Sequence, residues 1–360
     1  MFKPLFINGL SSITPQPLAE NGFLSEELSE SPKQFLQIIA PDYKEYIPPV
    51  QLRRMAKLMR MGFVGAQQSM QDAKLDQVDA IIVATGHGNI GDTEKFLNAI
   101  IDNQERMLVP TSFVQSTHNI VSGSIALKQG NKNYNMTYTH HNSAFEMALL
   151  DALIHNQEGI FHSFLIGALD EITEENYQIK APANLWREEA INPLNIFKQP
   201  VHGACLPGES AVFFNLATSA SDHSYAKVLD VEMFYKADSI EIKNIVSDFL
   251  LRNNLSLLDI DIIMGGFNGD EDFDLPQVNL LEDLFPKAAL LAYKQFVGEH
   301  PTSSAFALWM AAQILSGKNI PKSCWYKSKT QELDKIENIL LWQKGYLTGG
   351  DYALVLVSKV

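Results

Sequence analysis

A short, continuous apolar run stands at 80–84 (AIIVA), bounded by Thr85-Gly86-His87-Gly88, and mainly apolar segments at 161–166, 212–216 and 261–264 (DIIM) read as strands too. The run at 80–84 suits a strand buried on both faces, as in α/β proteins. Residues 4–9, 226–235, 339–343 and 352–357 read as further strands. Helical spacing governs 51–73, where Met55, Leu58, Met59, Phe63 and Ala66 share one side. Residues 240–252 predict an amphipathic helix. The segment 92–103 predicts another, with Asp92 or Thr93 as N-cap. Small or apolar helices are expected at 120–127, 144–154 and 305–315, and Pro110 begins a loop. Residues 11–49, rich in Pro, Ser and Glu, predict a surface excursion with at most one helix, at 31–39. Residues 172–200 are mostly polar and predict an insertion.

The pattern repeats. DIIM and the following Gly265-Gly266-Phe267-Asn268-Gly269 mirror DAIIVATGHG at 79–88. Residues 298–315, a Gly/Ser/Thr lead into an apolar helix, mirror 116–127. Two strand–helix halves are expected, at 1–235 and 236–360, the first carrying the 172–200 insertion.

Residues 135–171 are the organising stretch. The strand NMTYTH runs into a polar corner, His140-His141-Asn142-Ser143, and then into an apolar helix. Asn156-Gln157-Glu158-Gly159 ends that helix, and a second strand closes on Gly167-Ala168. Such an elbow aims free backbone N–H groups at whatever binds there. In acyl-transfer enzymes a Cys or Ser often sits at the corner, where the helix dipole favours its anion. This corner has no Cys.

Composition narrows the classes. Hydrophobic residues make up 46% and charged residues 19% of the 360, as in ordinary globular proteins. A net charge of −14 argues against nucleic acid or an anionic membrane as main partner. No apolar run reaches the length of a membrane span, and MFKPLFINGL lacks a signal-peptide pattern, so a cytoplasmic location is expected. The two cysteines, Cys205 and Cys324, read as buried small hydrophobes, neither a disulfide framework nor a metal site. His140 and His141 point to opposite faces of an extended corner and make a poor metal pair. His87 and His118 read as packed loop residues. The one basic run, Arg53 to Arg60, is the candidate docking patch for an acidic partner.

These segments resemble β-ketoacyl synthases of the thiolase-like superfamily, along nearly the whole chain. FINGLSSITP is similar to the family's first strand and loop, and PGESAVFFNLA to its G-E-G-A segment. GGFNGDED stands at the first catalytic histidine motif. YKQFVGEHPTSS resembles the second, K-S-x-x-G-H, and YLTGGDYALVLVS the Gly-rich loop and last strand. The resemblance implies a five-layered αβαβα thiolase-like fold built from two duplicated halves. Counting from Gly159 and Gly167 puts Asn142 at the cysteine position, or His141 with an offset of one. Phe267 or Asn268 stands at the first histidine. His300 stands at the second, in a Gly-Glu-His spacing that leaves Lys294 one residue too far.

Without a thiol at this corner, Asn142 cannot hold an acyl group as a thioester. The resemblance is greatest to chain-length-factor subunits of type II polyketide and aryl-polyene-type systems. It implies pairing with an active ketosynthase, or with itself, by sheet continuation. It also implies acyl groups delivered on the phosphopantetheine of an acyl carrier protein in fatty-acid or polyketide synthesis, with no cofactor of the chain's own. Apolar tunnel and interface side chains then matter most. Phe113, Phe145 and Met147 are the candidates, with Gly349 and Gly350 in the Gly-rich loop. One alternative is a malonyl-carrier decarboxylase or atypical synthase using Asn142 and His300, the role assigned to related chains with an amide at the cysteine position. Another is an acyl- or carrier-binding protein without turnover.

Overall fold

In a computed structural model, described for residues 2–360 apart from 20, 32, 189–191, 327–332, 334 and 348, ten strands form one sheet whose order repeats. The first set is β1 (Leu5–Ile13), β2 (Ala80–Thr85), β3 (Tyr134–Thr139), β4 (Ser163–Asp170) and β5 (Ser210–Ala217), ordered β3-β2-β4-β5-β1. The second set is β6 (Ala226–Tyr235), β7 (Ile262–Gly265), β8 (Ala289–Ala292), β9 (Asn338–Lys344) and β10 (Asp351–Ser358), ordered β8-β7-β9-β10-β6. Directions match as well. β2 is parallel to β3 and β4, as β7 is to β8 and β9, and the remaining pairs in each set are antiparallel. Only three residue pairs, Leu5–Val228, Phe6–Lys227 and Ile7–Ala226, join the sets. Counted by strands, the second set begins at Ala226, before the expected division at 235.

Helices alternate with the strands. The first half holds α1 (Pro49–Leu52), α2 (Lys57–Asp72), α3 (Ile90–Asp102), α4 (Pro110–Gln115), α5 (Ile120–Gln129), α6 (Ala144–Glu158) and α7 (Glu174–Lys180). The second holds α8 (Ser239–Arg252), α9 (Glu271–Leu284), α10 (Lys294–Val297) and α11 (Ser304–Leu315). Because strand side chains alternate, each strand feeds two layers. Ala80, Ile82, Ala84 and Ile166 point inward and meet Ile262, Met264, Ile339 and Leu341 around α6 and α11. Ile81, Val83 and Leu165 point outward onto α2 and α5. Ile263 and Leu340 do the same onto α8 and α9. The result is helix, sheet, helix, sheet, helix: the five-layered thiolase-like fold. A helix held between two sheets has no wet face, and all twelve residues of α11 are buried.

Several expectations change. α11 matches α6, not residues 116–127. Both follow the third strand of their set, both lie in the central layer, and Ser143-Ala144-Phe145 reappears as Ser304-Ala305-Phe306. No helix forms among the described residues of 31–39, while Pro110 opens α4 rather than a loop. α3 begins two residues early, with Asn89 rather than Asp92 or Thr93 at its N-cap. The acidic α9, which carries Pro276, has no strong apolar period and is not foreseen from the sequence. No described helix is long and apolar enough to cross a membrane.

Candidate functional site

At the elbow β3 ends at Thr139 and α6 begins at Ala144. His140 bends back over the corner. Its Nδ1 accepts hydrogen bonds from the backbone N–H of Asn142 (3.2 Å) and of Ser143 (3.1 Å). The donors that an elbow usually offers to a ligand are thus held by the chain's own imidazole. Asn142 is buried, and its Nδ2 donates to Asp351 Oδ2 at 3.5 Å. His141 is exposed, its ring 5.2 Å from that of His87.

Asn142 opens onto a small cleft between the halves, lined also by His87, His141, Glu171, Asn176, Lys180, Trp186, Glu299, His300 and Leu347. Its interior is about 20 Å³, room for about one water. The insertion at 172–200 forms one wall. Thr173 caps α7 by accepting from the Asn176 N–H. The buried Arg187 guanidinium ties the wall to the β7 loop by donating to the carbonyls of Gln199, Ile196 and Gly269. Glu209, from PGES, lies beneath. It accepts from the N–H groups of Ile38 and Ile172 and from Lys57 Nζ (2.7 Å). Lys57 is therefore turned inward, which divides the basic run between structure and surface.

Asp170, at the end of β4, binds the halves together at the cleft. One carboxylate oxygen accepts from the Thr85 hydroxyl and the Gly86 and His87 N–H groups, each at 2.9 Å; the other accepts from the Thr302 hydroxyl. His87 is thereby fixed with its Nε2 at 3.0 Å from Lys180 Nζ. Burial, with Lys180 adding to it, lowers the His87 pKa to about 4, so the ring is neutral and accepts from the ammonium. Burial also lowers Lys180 and raises Glu171 to about 7. His300 is buried and lowered to about 4 by burial; its Nε2 meets Ser210 Oγ at 3.0 Å and its Nδ1 has no hydrogen-bond partner among the described residues. Glu299 accepts from Lys294 Nζ (2.6 Å) and Asn268 Nδ2 (3.0 Å), a closed and neutral group below the cleft.

Asn142 and His300 therefore share one cleft, and His141 lies at its edge. Phe267 does not join them. It packs against Tyr326 at 4.5 Å in the outer core of the second half, and Asn268, the other reading of that position, faces the site through Glu299. None of Phe113, Phe145 and Met147 lines the cleft. Phe145 lies in the central core against Phe214, whereas Phe113 is 57% exposed beside Phe96. Gly349 and Gly350 lie just past the lining residue Leu347, in the turn before β10. His87 is more than a packed loop residue, since it lines the cleft and holds Lys180. Lys180, Glu171 and Glu299 escaped sequence reasoning. Only Glu299 left a signal: five residues after Lys294, it takes the place that K-S-x-x-G-H gives to histidine. Cys205, behind Trp186, and Cys324 are buried, do not line the cleft and have raised thiol pKa values, so neither substitutes for the missing nucleophile.

Comparison with known proteins supports the fold and points to a family for the first half. Residues 27–191 match the family model described as β-ketoacyl synthase, N-terminal domain. The fold is similar to that of the ishigamide ketosynthase/chain length factor, with a TM-score of 0.82 at 14% identity over 100% of both chains. It is similar also to the apo AntDE:AntF complex, a type II PKS acyl-carrier protein with its ketosynthase bound to the hexaketide. There the TM-score is 0.80 at 14% identity, again over 100% of both chains. No curated protein matches the chain. The chain has the thiolase-like fold of these structures, and its residues 27–191 are similar to the N-terminal domain of β-ketoacyl synthases.

Proposed function

We propose that the chain is a non-condensing ketosynthase homologue of the chain-length-factor kind. It acts by pairing with an active ketosynthase that works on carrier-borne acyl groups in polyketide or related synthesis. One observation carries this reading: the sheet has one open edge, and the cleft behind it has lost its thiol. β3 is an outermost strand with Asn135, Met136 and Thr139 exposed. Along that edge α4 and α5 expose Phe113, Val114 and Leu127. Unpaired strand N–H and C=O groups flanked by apolar side chains are a template for another chain. With an amide at position 142 and room for about one water, the chain holds no acyl intermediate of its own. A partner with a thiol makes the pair productive, which favours a heterodimer over a homodimer.

Co-expression with a neighbouring ketosynthase tests this. The expected result is a stable one-to-one complex on size exclusion, no condensation by the chain alone, and altered product amount or length from the pair. Carbon dioxide release from a malonyl carrier by the chain alone, lost in Asn142→Ala, would instead support the decarboxylase reading, for which His300 and Asn142 share the cleft. A monomer that binds carrier and ignores the ketosynthase would leave only the binding-protein reading.

A further inference from the structure

Lys180 carries a charge that no carboxylate among the described residues pairs with. It is the last residue of α7, mostly buried, and its Nζ has the neutral His87 ring as hydrogen-bond partner at 3.0 Å. The nearest acid by electrostatics is Asp170, whose two oxygens are already taken by Thr85, Gly86, His87 and Thr302. The other lysines near the cleft, Lys294 and Lys57, are paired with Glu299 and Glu209. An ammonium half withdrawn from water without a counter-ion is disfavoured, and an anion that pairs with it relieves that cost. A second observation points the same way. His300, 6% exposed and lining the same cleft, leaves its Nδ1 without a hydrogen-bond partner among the described residues. Ser210 can donate to Nε2, which leaves Nδ1–H as a donor.

We propose that this cleft is a binding site for a small organic carboxylate, which takes Lys180 as counter-ion and accepts a hydrogen bond from His300 Nδ1. A single negative charge fits. Among the described residues lining the cleft, Lys180 is the one lysine or arginine, so the site offers a single positive charge, and the Glu171 carboxyl in the same lining disfavours a dianion such as phosphate. The interior is too narrow for more than one carboxylate oxygen, so the rest of the ligand lies outside it, toward the exposed His141. The site is built by the 172–200 insertion and does not depend on pairing through β3. Its test therefore fails or succeeds separately from that of the proposed function.

The test is isothermal titration calorimetry of the full chain with acetate, butyrate and inorganic phosphate at constant ionic strength. Saturable binding of the two carboxylates is expected, tighter than phosphate. Lys180→Met should weaken it at least tenfold and His300→Phe several-fold, while Lys180→Arg retains most of it. Lys95→Met, which removes a surface lysine, should leave it unchanged, and circular dichroism melts confirm that each variant is folded. A malonyl thioester on a carrier protein forms a second arm. Lys180-dependent binding there, but not of the free acids, assigns the carboxylate to a carried acyl group. Absence of Lys180-dependent binding in both arms, or tighter binding of phosphate, overturns the proposal.

Discussion

α6 and α11 hold equivalent places in the two halves and open with the same Ser-Ala-Phe, yet their surroundings diverge. α11 is apolar and buried throughout, with Phe306 stacked on Trp309 at 5.3 Å. α6 puts Glu146 where α11 has Ala307, and that carboxyl group is fully buried, with the Ser304 hydroxyl of α11 as its polar neighbour. The strands that feed them differ as well. β3 lies open, whereas β8 is buried and Leu291 is bridged by Trp325. A duplicated unit has thus been divided: one copy supplies a dry interior, and the other carries the polar groups and the free edge.

Substitutions can break that contrast. Phe306→Ala should cost about 3–5 kcal/mol in urea melts, because a closed layer cannot collapse onto the void. A much smaller loss would mean that α11 is less tightly enclosed than α6.

Glu146 should give the next largest effect. Burial raises its pKa from 4.5 to about 7. The folded state therefore holds a proton that the unfolded chain releases. The stability linked to it is full below pH 4.5 and is lost as pH rises through 7. Glu146→Gln removes this loss. At pH 8 the variant should exceed the parent by about 3 kcal/mol, and the gap should close at pH 4.5. Glu171 and Asp274, both raised to about 7 by burial, titrate in the same sense and remain in both proteins, so the difference isolates Glu146.

Met136→Lys places a charge on the open edge. It should weaken pairing at least tenfold in sedimentation experiments and leave the melting of the single chain within about 0.5 kcal/mol. Equal loss of both would make β3 an internal structural strand rather than a docking edge. The smallest expected effect is at Gly159, which ends α6 with φ 72° and has open space where a methyl group would sit. Gly159→Ala should cost about 1 kcal/mol in thermal melts, all of it backbone strain.

Much of the fold was legible. AIIVA and DIIM, dry on both faces, announced the equivalent strands β2 and β7. The motifs around Glu209 and His300 fell in family order. α9 was hidden because its acidic face and Pro276 mask the helical period, and α11 was paired with the wrong segment because the shared Ser-Ala-Phe is only three residues long. In the site, Asn142 and His300 could be reached by counting along the chain. Lys180 could not, because a polar insertion carries no period that says where it folds back. Of the two readings of the first histidine position, Phe267 packs into the outer core and Asn268 donates to the cleft residue Glu299, a difference of layer that counting along the chain does not show.

The covered β8 has a consequence for assembly. A sheet with two open ends could add copies at either side and grow into a fibre. With β8 bridged at Leu291 by Trp325, the proposed pairing through β3 would consume the free edge of each participant, and growth would stop at two chains.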